Sequence, residues 1–169
     1  MTGVLTAAAL TTHVIEASLP PLTPIYGIKL GLSNVFTLFA LYALGTASAA
    51  AVLILRVTLG NLIAGQAVSF IYSLSGGAVS FAVMLLLVRV IPFEQMWVTG
   101  GICAVFHNIG QIAAAVVITG TWQIIIYLPL LIAAGIIAGT ITGGLAGIVL
   151  KKLDKAGFVK IKEYKIFHK

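Results

Sequence analysis

The segment WQIIIYLPLLIAAGIIAGTITGGLAGIVL, at residues 122–150, decides the class of fold. It contains no charged residue, and two lysines follow it directly. An apolar stretch of this length is typical of a helix that crosses a membrane, because about 20 residues suffice for that. The segment therefore predicts an integral membrane protein.

The rest of the chain has the same character. Of its 169 residues, 60% are apolar and only 8% are charged, and the mean hydropathy is +1.15. A soluble domain is usually about 45–50% apolar and about 25% charged. The composition thus excludes a soluble domain and, because a disordered chain needs low hydrophobicity, a disordered one. The length leaves room for about six membrane helices and for no aqueous catalytic domain.

Breaker residues divide the apolar stretches into six predicted helices. The PPLTP segment at 20–24, Gly45 and Pro92 separate some of them. Strands that alternate in polarity are excluded, since the apolar runs are too long and lack a period of two. The helices are predicted over residues 3–19, 28–44, 47–64, 67–91, 97–118 and 122–150. We expect a six-helix transmembrane domain at 1–150 and a basic tail at 151–169.

Most of the net charge of +6 lies in that tail. Residues 1–150 carry a net charge of +1, whereas 151–169 hold seven lysines against two carboxylates. Lysines beside a membrane helix usually lie in the cytoplasm, near anionic lipid. Six spans then place both termini in the cytoplasm and Lys29 outside. Membrane lipids are expected partners, and nucleic acid is not.

Arg56 lies near the middle of the third predicted helix. An unpaired arginine there costs roughly 2.5–3.5 kcal/mol on insertion scales, so it must face the protein interior or a water-filled cavity. One interpretation is a structural bond to helix-end carbonyls or to Glu16. The other is contact with an anion or ligand. His13 and Glu16 on the first helix could pair with each other or with Arg56.

The fifth predicted helix contains FHNIGQ, at residues 106–111. His107, Asn108 and Gln111 share one face, and hydrocarbon cannot satisfy their hydrogen bonds. They favour either ligand contact or a bond network between helices. A metal site is not predicted, because His107 has no second histidine or carboxylate at ligand spacing.

Small residues form two further stripes. Either stripe can be a packing seam; the serine face can also line a pocket, and the glycine stripe can form an interface to another subunit. The serine face of helix four comprises Ser69, Ser73, Gly76 and Ser80, and the glycine stripe of helix six comprises Gly135, Gly139, Gly143 and Gly147.

No signature of an enzyme occurs in the sequence. There is no phosphate-binding loop, no GxSxG motif and no pair of aspartates for magnesium, since Asp154 is the single aspartate. The single Cys103 excludes an internal disulfide and a multi-cysteine metal site. We predict a protein that is not an enzyme and needs no cofactor.

Four segments carry a resemblance to a known family. They are PLTPIYGIKLGLSNVFTLFALYALG at 21–45, LRVTLGNLIAG at 55–65, YSLSGGAVSF at 72–81 and FHNIGQ at 106–111. Over about residues 4–150 the chain resembles the substrate-binding S components of energy-coupling-factor transporters. Within that group it is most similar to the Gx transporter family, also named heptaprenyl diphosphate synthase component I.

This resemblance implies a bundle of six helices in the inner membrane of a bacterium. It implies a ligand pocket that opens outward, covered by the first loop and lined by helices four to six. It also implies a separate membrane coupling subunit with two ATPases as partners. The candidate substrate-binding residues are Lys29, Asn34, Arg56, Ser73, His107, Asn108 and Gln111.

The leading hypothesis is uptake of a small, amphipathic anionic molecule related to isoprenoids or quinones. Two cations beside an otherwise apolar pocket favour it. One alternative is a membrane subunit of a flavin- or quinone-linked extracellular electron-transfer system, with an electron-transfer partner. Another is a non-catalytic component linked to prenyl diphosphate synthesis.

Overall fold

The computed structural model describes residues 1–19, 28–65, 67–162 and 164. These residues are almost entirely helical and contain no strand, so the predicted all-α class is confirmed. Short 3₁₀ turns occur at Phe93–Gln95 and Trp122–Tyr127. The described α-helices are α1 (Thr2–Ser18), α2 (Asn34–Leu44), α3 (Thr46–Ile63), α4 (Ala67–Val90), α5 (Met96–Thr119) and α6 (Leu128–Lys155).

Four helical stretches among the described residues are long and apolar enough to cross a membrane. They cover residues 46–63, 67–90, 93–119 and 122–155. The other two helices are shorter, with 17 residues in α1 and 11 in α2. At a rise of about 1.5 Å per residue, α2 alone is too short for a hydrocarbon layer of about 30 Å.

The second helix starts at Asn34, so the predicted start at Ile28 was wrong. The backbone N–H of Lys29 donates to Gln111 Oε1 at 3.0 Å, and that of Gly31 donates to Glu16 Oε1 at 2.6 Å. Because these donors bind distant side chains, residues 28–33 cannot form the ladder of a helix. Gly31 also has a φ of +77°, which favours glycine. The predicted PPLTP connection lies outside the described residues.

The last helix differs from the prediction at both ends. It begins at Leu128 and not at Trp122, because residues 122–127 form a 3₁₀ turn. Pro129 then occupies the first helical turn, where its missing N–H leaves no bond unmade. The helix continues to Lys155, across the predicted domain boundary at residue 150, which stays a prediction.

The glycine stripe of α6 packs against α5 inside the fold. A Cβ atom added to Gly139 would lie 2.5 Å from the carbonyl oxygen of Gly100, and one added to Gly143 would lie 2.9 Å from that of Met96. Two backbones approach this closely only where neither carries a side chain. We call this contact of α5 and α6 the glycine seam. It confirms the interpretation of tight packing within the chain.

The described part of the tail binds the end of α2. Lys162 donates from its backbone N–H to Tyr42 O and from Nζ to Leu44 O, both at 2.8 Å. The hydroxyl of Tyr164 donates to Leu41 O at 2.8 Å. The bonds of Lys162 satisfy carbonyls that the last turn of a helix leaves free, and Leu41 O also accepts from the backbone N–H of Gly45. The tail therefore marks one end of the bundle, and the start of α2 lies at the other.

Candidate functional site

Arg56 is the largest fully buried side chain of the described residues, with 1% of its surface exposed. Its guanidinium donates through Nη1 to Ser33 Oγ and through Nη2 to Asn34 Oδ1. Both acceptors lie where the chain enters α2. The prediction that Arg56 is buried and paired is thus confirmed. Its Nε has no hydrogen-bond partner among the described residues.

Lys29 is also buried, with 8% of its surface exposed. Its ammonium lies 3.2 Å from His13 Nε2 on α1 and 3.5 Å from Asn61 Oδ1 on α3. An ammonium has three donors, and contacts with the described residues use two of them. The second contact is longer than the usual 2.7–3.2 Å and is therefore weak.

The hydrogen bonds assign both histidines to the neutral form. An ammonium can only donate, so His13 Nε2 accepts from Lys29. Gln111 Oε1 accepts from the backbone of Lys29, so its Nε2 is the donor to His107 Nε2 at 2.7 Å. Each imidazole thus accepts at Nε2 and carries its proton on Nδ1.

Glu16 is the buried carboxylate of this region, with 7% of its surface exposed. Its Oε1 accepts the short bond from the backbone of Gly31, and its Oε2 accepts no hydrogen bond among the described residues. The bonds of Lys29 and Arg56 go to neutral groups instead. The carboxylate therefore fixes the chain before α2 and offsets one of the two nearby cations.

These side chains form one group, which we call the cation cluster. It is assembled by α1, α3, α5 and the segment at 28–34 that leads into α2. The cluster comprises His13, Glu16, Lys29, Ser33, Asn34, Arg56, Asn61, His107 and Gln111.

Three glycines make room for the imidazoles. A Cβ atom at Gly60 of α3 would collide with the ring of His13, and one at Gly31 would collide with the ring of His107. A Cβ atom at Gly76 of α4 would lie 2.6 Å from the carbonyl oxygen of His107. The cluster thus depends on these glycines, which leave space for the rings, as much as on its polar side chains.

Five of the seven predicted binding residues lie in the cation cluster, and two do not. Asn108 donates to Leu131 O at 2.7 Å and so links α5 to α6. Ser73 on α4 is buried, with 2% exposed, and its hydroxyl has no partner among the described residues. The five are Lys29, Asn34, Arg56, His107 and Gln111.

Two members of the cluster, Ser33 and Asn61, are not predicted from the sequence. A signal existed for Asn61, because an asparagine five residues after Arg56 in an apolar helix also needs a partner. Ser33 gave no such signal, since its role follows from the fold of residues 28–33.

Two cavities adjoin the cluster. A small cavity beside Gly31 and Asn34 has a volume of about 20 Å³, enough for about one water molecule. A cleft of about 430 Å³ lies between α3 and α4. Residues that line it are Thr58, Asn61, Leu62, Gly65, Ala67 and Phe70.

Residues 5–149 match the family described as heptaprenyl diphosphate synthase component I. The chain belongs to this family. No curated protein and no solved structure matches it at a significant level. The family description names a component of a synthase, and the fold adds four helices that can cross a membrane.

Proposed function

We propose that the protein is a membrane component without catalysis of its own, which binds a small amphipathic anion at the cation cluster. The observation that carries this proposal is the pair of buried cations, Lys29 and Arg56, against one buried carboxylate. A buried charge that is not balanced is expensive, so an anion at this place would stabilise the protein. Such a site suits an S component that captures a substrate for uptake.

All six helices cross the membrane in this proposal. Residues 28–31 form no helix and are mostly buried, and residues 32–33 form a turn into α2. Residues 28–31 and the 11 residues of α2 together reach at most roughly 30 Å, about the thickness of the hydrocarbon layer. Non-helical backbone is tolerated at membrane depth where protein buries it. The lysine tail favours a cytoplasmic location for both termini in a bacterium, and the cation cluster would then face outward.

A coupling subunit with ATPases is the proposed partner for uptake, as in S components. The second candidate function is a non-catalytic part in prenyl diphosphate synthesis, which the family description favours. In that case the chain would bind another synthase subunit. The isolated chain with magnesium should form no prenyl diphosphate under either proposal, whereas a complex isolated from native membranes would contain either ATPases or a synthase.

Mass spectrometry of the molecules that copurify with the protein tests the binding function. We would extract wild-type protein, Arg56→Leu and a control, Arg89→Leu, which removes an exposed cation at the end of α4. We expect an anionic lipophilic compound in the wild type and the control, and its loss from Arg56→Leu. The same bulk lipids in all three proteins would contradict the proposed function.

A further inference from the structure

The charges of the cation cluster define the charge of its ligand. Lys29 and Arg56 contribute two positive charges and Glu16 contributes one negative charge. Among the described residues these three are the buried side chains that carry a charge, since both histidines are neutral. Residues 20–27, which lie outside the described residues, include no charged residue in the sequence. The cluster therefore has an excess of one positive charge, which one negative charge would balance.

The cleft between α3 and α4 reaches this charge. Asn61 lines the cleft, and its Oδ1 is the acceptor of the long 3.5 Å bond from Lys29 Nζ. Asn61 Nδ2 donates to Val57 O at 2.8 Å, and this bond fixes the amide between the cleft and the ammonium. An anionic oxygen at the inner end of the cleft could replace this weak bond and accept from Lys29 Nζ in place of Asn61.

The remaining walls of the cleft suit an apolar chain. Beyond Asn61 they consist mainly of Leu62, Phe70, Ala67 and the exposed side of Thr58. A molecule in liquid water occupies ~30 Å³. If each heavy atom of a ligand takes the same volume, a cleft of about 430 Å³ holds roughly 14 heavy atoms. This is room for one short chain and not for the two acyl chains of a phospholipid.

We propose that the α3–α4 cleft holds the apolar body of a single-chain anion with one negative charge, whose charged group binds Lys29 beside Asn61. This inference rests on the proposed function and adds the charge, size and position of the ligand. The ligand would reach the cleft sideways, from the lipid layer. A molecule with a diphosphate group would bring more negative charge than the cluster can balance.

A series of probes with one chain and different charges tests the inference. Farnesoic acid is a monoanion, farnesol is neutral and farnesyl diphosphate carries several negative charges. We would measure equilibrium binding of each to the full chain in nanodiscs of phosphatidylcholine. We expect farnesoic acid to bind at least about 10-fold more tightly than the other two, a difference of about 1.4 kcal/mol.

Two neighbouring tryptophan variants test the position. Thr58→Trp fills the cleft, whereas Leu59→Trp adds the same side chain at the next residue, which is exposed and does not line the cleft. We expect Thr58→Trp to weaken farnesoic acid binding about 10-fold or more and Leu59→Trp to leave it unchanged. If Thr58→Trp lowers the melting temperature, Leu62→Trp replaces it, because Leu62 is 75% exposed in the cleft wall.

Each contrary result overturns a defined part of the inference about the ligand. Equal or tighter binding of farnesol or farnesyl diphosphate, or no binding of farnesoic acid, overturns the single charge. Unchanged binding to Thr58→Trp and Leu62→Trp, together with its loss in Arg56→Leu, overturns the cleft but leaves the proposed function standing. Displacement of farnesoic acid by phosphatidylglycerol in the nanodisc overturns the single-chain ligand. Only the copurification experiment decides the proposed function itself.

Discussion

The glycine seam and the cation cluster are both buried, but their chemistry is opposite. In the seam, α5 and α6 meet through Gly100, Gly139 and Gly143, and backbone contacts fill the space. In the cluster, long polar side chains meet, and among the described residues some donors have no partner and the buried cations outnumber the buried carboxylate by one. A filled apolar seam stabilises the fold by itself. In the proposed function a bound anion balances the polar cluster, so changes in the two regions should have different consequences.

The largest effect is expected in the seam. Gly139→Leu should prevent folding, because a Cβ atom at this position already lies 2.5 Å from Gly100 O and 2.8 Å from Ala104 Cβ. Gly139→Ala should destabilise the protein by about 1–3 kcal/mol through overpacking. Gly144→Ala is the matched control, since its Cβ atom would lie 3.6 Å from Trp97 Cβ. Thermal unfolding of the three variants measures this, and equal melting temperatures would show that the seam is not tightly packed.

Substitutions of Arg56 in the cluster should have the next largest effect, and this effect should be on ligand affinity. Arg56→Leu removes one of the two charges that hold the anion, so farnesoic acid binding should weaken by about 1.5–3 kcal/mol. Arg56→Lys keeps the charge but cannot donate to Ser33 and Asn34 together, so its affinity should lie in between. Binding measured for the three proteins in nanodiscs tests this order. Equal affinity in all three would remove Arg56 from the site.

Asn108 and Gln111 lie on one face of α5 but belong to different regions. Asn108 bonds Leu131 O of α6, and Gln111 bonds the backbone of Lys29 in the cluster. Asn108→Leu should therefore lower the melting temperature and keep the affinity of the folded protein. Gln111→Leu should weaken binding by about 1–3 kcal/mol, since Lys29 N–H and His107 lose their partner. Melting temperature and ligand affinity are measured for both variants. Equal changes in the two variants would contradict the assignment of Asn108 to stability and of Gln111 to binding.

The sequence predicts those parts of the fold that depend on local patterns. The long apolar stretches predict α3 to α5 closely and the existence of α6, because hydrocarbon demands a helix wherever the chain crosses it alone. The start of α2 could not be predicted. Residues 28–33 are apolar enough for a helix, but their backbone binds Gln111 and Glu16, which are distant along the chain, and therefore does not continue the helix of α2.

The same limit applies to the site. Arg56, His107 and Gln111 could be selected because a polar side chain in an apolar helix needs a partner. Their partners could not be assigned, since Ser33, Asn34 and Lys29 come from the segment that the sequence favours as helix. Asn108 shows the converse, because its position beside His107 and Gln111 says nothing of its bond to α6.

The smallest effects should separate two serines on α4. Ser73 and Ser80 are both buried, at 2% and 1% exposure, and lie two turns apart on one face. Ser80 donates to Cys103 O at 2.9 Å, whereas the hydroxyl of Ser73 has no partner among the described residues. A hydrogen bond contributes about 0.5–1.5 kcal/mol to stability, and a buried hydroxyl without one is unfavourable. Ser80→Ala should therefore lower the melting temperature slightly and leave binding unchanged.

Ser73→Ala should do the reverse. Removing a hydroxyl without a partner should leave the free energy of unfolding unchanged or raise it, because nothing in the fold loses a bond. If this hydroxyl contacts the ligand, the same change should weaken binding by about 0.5–1.5 kcal/mol. Melting curves and farnesoic acid binding of the two alanine variants test this. Ser80→Ala should lower only the melting temperature, and Ser73→Ala should lower only the affinity. A Ser73→Ala protein that melts as low as Ser80→Ala and binds as tightly would place Ser73 with the packing residues, and the boundary between the two regions would then lie closer to α1 and α3.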